Sequence, residues 1–363
     1  MPSYVGQPNF EHGSTQRLGV LLANLGTPDD PTPAAVRRFL AEFLWDPRVV
    51  ETPRWFWWLA LHGFILRVRP ARSAHAYQQI WTSAGSPLLI HSRELAGGLQ
   101  THLMQRLRET TQVALGMTYG TPSIASALEQ LRTAGVRRLI VLPLYPQYSA
   151  TTTASVFDRV TDVLQTWRWL PDVRFITSYH DDPNYIAAIA ASILAHWEKH
   201  GREHLLFSFH GALLQQLLAG DPYHCQCQKT ARLIAEHLGL GADQWSLSFQ
   251  SRLGRGEWLR PYTDELLMKF AAEGRKRLTV VCPGFATDNL ETLEENAIRN
   301  RSAFLAAGGE SFDYVPALNA GEDHVALLTE LVLAHAHGWP ESTGVKSTDA
   351  LTLQRALKAG AAR

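Results

Sequence analysis

The chain has 363 residues, with 34 Lys and Arg against 34 Asp and Glu, so its formal charge is zero and it lacks the basic field of a nucleic-acid binder. Hydrophobic residues make up 45% and charged residues 19%, the balance of a globular protein long enough to bury its own core. Three cysteines (Cys225, Cys227 and Cys282) make no disulfide framework, fit a reducing cytoplasm, and cannot supply the four thiolates of an all-cysteine iron–sulfur cluster.

The residues through Gln16 are polar and lack the apolar heart of a signal peptide. The first strand candidate is Leu18–Leu25. It ends in the turn Gly26-Thr27-Pro28, which is not the glycine-rich loop of a dinucleotide site. Next comes Trp55–Leu66, aromatic-rich, uncharged and bounded by Arg54 and Arg67. It falls short of the ~20 residues of a membrane span. Two readings stay open for it: a buried or half-buried helix, or an exposed apolar lip that admits a flat greasy ligand or touches a membrane surface.

Further strand candidates are Gln112–Tyr119, Arg137–Leu142 and Val173–Thr177, then His204–Phe209, Trp245–Gln250, Arg277–Val281 and Phe312–Val315. Segments with helical spacing lie between them: Ser123–Ala134, Asn184–His200, Lys229–Leu238, Asp264–Ala272 and Leu290–Ala306. Strand and helix in alternation predict an α/β fold of two doubly wound units, each with a four-stranded parallel sheet. The units are expected at 17–178 and 179–325, with a seam near Ser178–Pro183 and a C-terminal helix and polar tail over 326–363.

Ligands of open parallel sheets bind beyond the carboxyl ends of the strands, so those residues are the candidates. After the third strand come Pro143 to Ser149 and then Thr151, Thr152 and Thr153, whose hydroxyls either cap a helix or bind an anion. After the fifth comes His210-Gly211, and after the seventh Cys282-Pro283-Gly284-Phe285. Asp288, Glu291 and Glu295, spaced by three and four, would share one face of an α-helix. Such a row is either a solvated face favoured by the helix dipole or a path for a cation or protons. Cys225-Gln226-Cys227 lacks the matching pair of a zinc site; His224 and Cys282 are its only conceivable complements, and packing is the simpler role.

Over these strand ends the chain resembles ferrochelatases. The resemblance rests on Phe207-Ser208-Phe209-His210-Gly211, Gly220-Asp221-Pro222-Tyr223, Ser248-Phe249-Gln250-Ser251-Arg252 and Pro261-Tyr262-Thr263-Asp264-Glu265. It continues in Cys282-Pro283-Gly284-Phe285, Leu290-Glu291-Thr292-Leu293-Glu294-Glu295, Asn24-Leu25-Gly26-Thr27-Pro28, Gly85-Ser86-Pro87-Leu88 and Leu142 to Ser149. Together these run from about Gly19 to Leu328. The resemblance implies two Rossmann-like domains with a porphyrin cleft between them. It implies insertion of Fe²⁺ into protoporphyrin IX, giving protohaem and two protons, with iron as substrate and no permanent cofactor. His210 and Glu291 would face each other across the cleft as catalytic and metal-binding residues, with Asp288 and Glu295 behind the glutamate as an acidic path. Trp258 and Phe285 would be walls, and Arg69, Tyr77 and Ser86 would hold the porphyrin edge. The same residues also admit a chelatase for coproporphyrin III or for a metal such as cobalt, and a porphyrin or haem carrier.

The chain departs from the family's pattern in several places. Ala212-Leu213 replaces the usual Leu-Pro, Gln215-Gln216 replaces a common Arg-Tyr, Thr118 stands for an arginine and Asn289 for a cysteine. Ala150 stands where cluster-bearing relatives have a cysteine, and no cysteine follows Cys282, so an iron–sulfur cluster is not expected.

Overall fold

The computed structural model describes all residues except 1–3, 8–11, 13, 15, 108–110, 253, 255, 341–348 and 362–363. The stretch 341–348 of the expected polar tail therefore lies outside the described residues.

All eight strands form. β1 (Arg17–Asn24), β2 (Thr111–Met117), β3 (Val136–Pro143) and β4 (Asp172–Phe175) make one parallel sheet in the order β2-β1-β3-β4. β5 (His204–His210), β6 (Trp245–Gln250), β7 (Arg277–Val281) and β8 (Ser311–Val315) make a second, also parallel, in the order β6-β5-β7-β8. The two sheets thus share one topology. Near-continuous apolar runs such as Leu18 to Ala23 and Leu205 to Phe207 suit strands covered on both faces. In the first sheet, one face packs in a cluster that includes Leu18, Val20 and Leu22, and the other in a cluster that includes Leu21, Ala23 and Leu139.

The first of these clusters does not stop at the seam. It runs from β1 through the helices Pro87–Leu107 and Pro183–His200 to Phe207 and Phe209 of β5. The helix Glu322–Ala336 closes it, burying Val325, Leu328 and Val332 against the helices Pro87–Leu107 and Pro183–His200.

The segment Trp55–Leu66 is not a buried helix. It is an α-helix over Arg54–Ala60, a wider π-helical turn over Leu61–Ile65, and then the helix Leu66–Ile80. Trp55 is 73% exposed and Phe64 68%, and Phe56, Trp58, Leu59 and Val68 are all more than half exposed. Full burial of one such side chain is worth roughly 1.5–3 kcal/mol. Leaving six of them in water forgoes an amount comparable with the whole stability of a domain, so this surface is retained for something other than folding. Leu61 is buried, and Trp57 is half-buried with its indole N–H donating to the Leu44 carbonyl at 2.6 Å. Among the described residues, no helix is long and apolar enough to cross a membrane.

Candidate active site

His210 is the last residue of β5, and its side chain leaves the buried strand into the open. Its Nδ1 lies 2.7 Å from the Gly211 carbonyl oxygen. A carbonyl only accepts, so Nδ1 carries the hydrogen, and in the neutral tautomer the lone pair lies at Nε2. The Phe285 ring meets the imidazole edge-on, with centroids 6.4 Å apart. Gly211 is required by crowding: a Cβ there would lie 2.6 Å from the Gln250 carbonyl oxygen and 3.1 Å from Trp258 Cε3. Glycine therefore lets the end of β6 and the Trp258 ring close over the histidine's strand. Backbone bonds from Leu259 N to Ala212 O (2.9 Å) and from Leu214 N to Glu257 O (2.9 Å) tie the two loops together, so the Ala212-Leu213 departure lies in an ordered ladder.

Glu291 opens a helix that was expected to be α over Leu290–Ala306. It is π-helical over Glu291–Asn300 and α-helical only over Arg301–Ala306. The Asn296 side-chain amide donates back to the Glu291 carbonyl at 3.2 Å, holding the first turn from its side. Asn289 caps the start, its Oδ1 accepting from the N–H groups of Glu291 (3.0 Å) and Thr292 (3.1 Å). The residue that departs from the family pattern here is thus an efficient N-cap. At about 4.4 residues per π turn, Glu291 and Glu295 still share a face.

Asp288 does not join them. It precedes the helix and is buried. Tyr314 (2.7 Å) and Thr292 (2.8 Å) donate to its Oδ1 and Asn319 (2.7 Å) to its Oδ2. The spacing argument failed there because it assumed a helix beginning before Asp288. The row of three carboxylates is a pair, and Asp288 pins β8's exit to the helix start.

Burial raises the proton affinity of Glu291 above the ordinary carboxylate range; His210, its own backbone N–H and Arg69 favour the charged form, while Glu295 opposes it. Glu295 is held by Ser251, whose N–H donates at 2.9 Å and whose hydroxyl donates to the other oxygen. Ser251 adopts a left-handed backbone (φ 63°), which brings both donors onto one carboxylate. Gln250, at the end of β6, is the hub behind the pair. Its Nε2 donates to the Glu291 carbonyl at 2.8 Å, and its Oε1 accepts from Ser208 and Asn296, both at 2.6 Å. Gln250, Ser251 and Asn296 were not singled out from the sequence. The strand-end rule that found His210 would have found the first two.

The first half supplies the opposite wall. The helix Leu66–Ile80 packs against the π-helix, with Leu290 and Leu293 against the cluster that holds Tyr77. Arg69 is half-buried near Glu291; burial lowers its proton affinity and Glu291 offsets part of that. Tyr77 is buried, and burial pushes its phenol up, with Glu291 adding to the effect. Its hydroxyl bonds Thr27, whose own hydroxyl donates to Ser86 at 2.9 Å. His210, Glu291, Glu295, Phe285, Trp258, Arg69, Tyr77 and Ser86 thus gather around one place between the sheets. β1 ends there as well: the Asn24 amide donates to Ser92 (3.0 Å) and to Thr287 (3.1 Å). Thr118 donates to the Asn24 carbonyl at 3.1 Å, so this departure from the family's arginine serves the strand ends.

Part of the loop after β3 is filled from within the chain. The Asp221 carboxylate already occupies it, accepting from Ser149 Oγ (3.0 Å) and Ala150 N (2.8 Å). Cys225 is exposed and Cys227 and Cys282 are buried, and among the described residues none of them belongs to a group able to hold a metal.

The family model named Ferrochelatase matches residues 17–336. A ferrochelatase of Thioalkalivibrio sulfidiphilus is 54% identical over 359 residues, covering 99% of this chain and 97% of the relative. One of Nitrosococcus oceani is 56% identical over 341 residues, covering 94% and 92%. Among solved structures, SirB from Bacillus subtilis with Fe³⁺ aligns at a TM-score of 0.55 and 10% identity, covering 90% of this chain and 98% of that one. At that identity the likeness is one of fold.

Proposed function

The chain belongs to the ferrochelatase family and inserts ferrous iron into a porphyrin to make haem, and from that premise we propose that the porphyrin is protoporphyrin IX and that His210 and Glu291 carry the reaction. The observation that carries this reading is the pairing of a histidine whose Nε2 lone pair is free with a carboxylate whose proton affinity burial has raised.

Metallation exchanges two pyrrole N–H protons for one Fe²⁺. His210 Nε2 accepts a proton from a pyrrole nitrogen, the role of a general base. Glu291 takes protons on toward Glu295, which Ser251 and Gln250 hold in place. Imidazole and carboxylate are also acceptable ligands for the incoming iron, and two ligands bind it loosely enough to let it go. Phe285, Trp258 and the Tyr77 wall press the macrocycle out of plane, exposing a nitrogen lone pair at the expense of contact energy. Arg69 is suited to pair a propionate through its planar fork, with Ser86 and Tyr77 at the same edge. Asp288 is left out of the path because its oxygens are already satisfied.

Two further parts of the reading rest on the surface and the cysteines. The exposed apolar lip around Trp58 and Phe64, flanked by Arg54 and Arg67, suits peripheral contact with the inner face of a membrane, with the body of the protein in the cytoplasm. Three unpaired thiols and Ala150 support the absence of an iron–sulfur cluster. The two sheets support units at 17–178 and 179–325.

The test is metallation of protoporphyrin IX and coproporphyrin III with Fe²⁺ and Co²⁺ under anaerobic conditions. We expect protoporphyrin IX with Fe²⁺ to turn over fastest. Faster turnover of coproporphyrin III would overturn the substrate assignment. Turnover retained in His210→Ala would overturn the mechanism.

A further inference from the structure

We propose that His196, His200 and Asp313 form a second metal site, distinct from the active site, that takes one divalent first-row transition ion. His196 and His200 are four residues apart on the helix Pro183–His200, so both imidazoles lie on one face. Their rings stack with centroids 4.3 Å apart. Asp313 comes from β8, the edge strand beside that helix. One ligand atom from each residue lies within 4.8 Å of the other two. Ligands around a tetrahedral ion with bonds of ~2.1 Å stand roughly 3.4 Å apart, so a small side-chain rotation completes the set.

Three further observations support it. His196 Nε2 is buried and has no hydrogen-bond partner, which is unusual for a ring nitrogen of a folded protein. Asp313 accepts from Ser311 Oγ at 2.7 Å, the kind of outer contact that orients a ligating carboxylate. The helix ends at His200, so its unpaired carbonyls place partial negative charge beside the ions' seat. The frame is rigid: Trp197, between the two histidines, donates from its indole to Thr279 at 2.9 Å, and Thr279 is the direct strand partner of Asp313.

The same register separates this cluster from the catalytic one. Asp313 is level with Thr279 and therefore with Leu205, five residues before His210 along β5. At ~3.3 Å per residue that is roughly 17 Å along the strand, toward the opposite end of the sheet. Two imidazoles and a carboxylate suit Fe²⁺, Co²⁺ or Zn²⁺, and His200 is exposed, so ions enter from solvent and the remaining positions hold water. Lys199 and Arg277 stand near the cluster and weaken it, although Arg277 is paired with Glu203 at 2.7 Å.

The experiment is a titration of the full chain, untagged and without porphyrin, with Co²⁺. Its visible absorption reports coordination, and equilibrium dialysis gives the count. We expect two ions in the wild type. One should remain in His200→Ala and in Asp313→Asn, with the lost site at least about tenfold weaker. His210→Ala should keep the new site's spectrum, and His200→Ala should keep iron insertion. The proposal is overturned if His200→Ala still binds two ions with the wild-type spectrum. It is equally overturned if the wild type binds one ion and His210→Ala abolishes it. His200 is exposed at a helix end, so its variant folds even if Asp313→Asn does not.

Discussion

The two sheets have the same strand order, yet their equivalent strand ends are used in opposite ways. β1 ends in Asn24, which is buried, with its amide shared between Ser92 and Thr287. β5, at the corresponding place, ends in His210, whose ring is exposed and whose Nε2 is left open. The excursions after them differ as well. Between β1 and β2, beside packed helices such as Pro87–Leu107, the chain places the lip helix Arg54–Ala60 and its π turn in solvent. Between β5 and β6 it builds the short helix Leu214–Leu218 and the packed helix Tyr223–His237. One topology thus gives a wall in one half and chemistry in the other: satisfied polar groups make a scaffold, and an unsatisfied one makes a reagent.

The contrast is sharpest in paired substitutions at the two strand ends. His210→Ala should lower kcat by about 10²–10⁴-fold, the usual worth of a general base, while porphyrin binding and Tm stay near wild type. Asn24→Ala should do the reverse. It leaves Ser92 and Thr287 without a donor at a cost of about 1–3 kcal/mol, and Tm falls by roughly 2–4 °C per kcal/mol while kcat changes little. Thermal melts and single-turnover absorbance on both variants check this, and a Tm loss in His210→Ala without a kcat loss would erase the distinction.

A smaller effect concerns Glu291. Its proton affinity is raised in the folded state, chiefly by burial, so its ionised form costs stability. That cost is present above the raised folded value and disappears as pH falls into the ordinary carboxylate range, where the group is protonated both folded and unfolded. Glu291→Gln should therefore raise Tm by roughly a few degrees at pH 8, with the gain vanishing toward pH 4. A Tm gain that grows as pH falls would contradict the assignment.

The smallest effect divides the lip itself. Trp58→Ser should leave Tm unchanged and reduce partition onto anionic lipid vesicles by several-fold, because its ring is half in solvent. Trp57→Ser should lower Tm, since Trp57 packs on the core and bonds Leu44. Equal vesicle binding by wild type and Trp58→Ser would leave the lip to the porphyrin alone.

The strands were legible because parallel sheets covered on both faces are written as apolar runs such as Leu18 to Ala23. The helices Pro33–Trp45 and Pro87–Leu107 were not, although each buries a clear stripe, and the expected C-terminal helix starts earlier, at Glu322. In Pro87–Leu107, Gly97, Gly98 and several polar residues blur that stripe. The π-helix over Glu291–Asn300 was invisible because the period of 3.6 was assumed and no local spacing signals the wider turn. Exposure of the lip was also hidden: an apolar run carries the same letters whether it is buried or bare. His210 and Glu291 were found at strand ends. The bonds from Gln250 to Glu291 and from Ser251 to Glu295 were not, since partners across 41 and 44 residues leave no local spacing.

The apolar cluster shared by both sheets has a mechanical consequence. A cleft between two lobes usually opens by bending at a thin connection, but here the back of the cleft is welded by the helices Pro87–Leu107, Pro183–His200 and Glu322–Ala336. Swinging the lobes apart would drag Leu99, Ile189 and Val332 into water together. Entry and exit at the front, past the exposed lip helices, is the route that leaves this packing intact. The lip helices, with their exposed side chains, are the part with the least packing to lose.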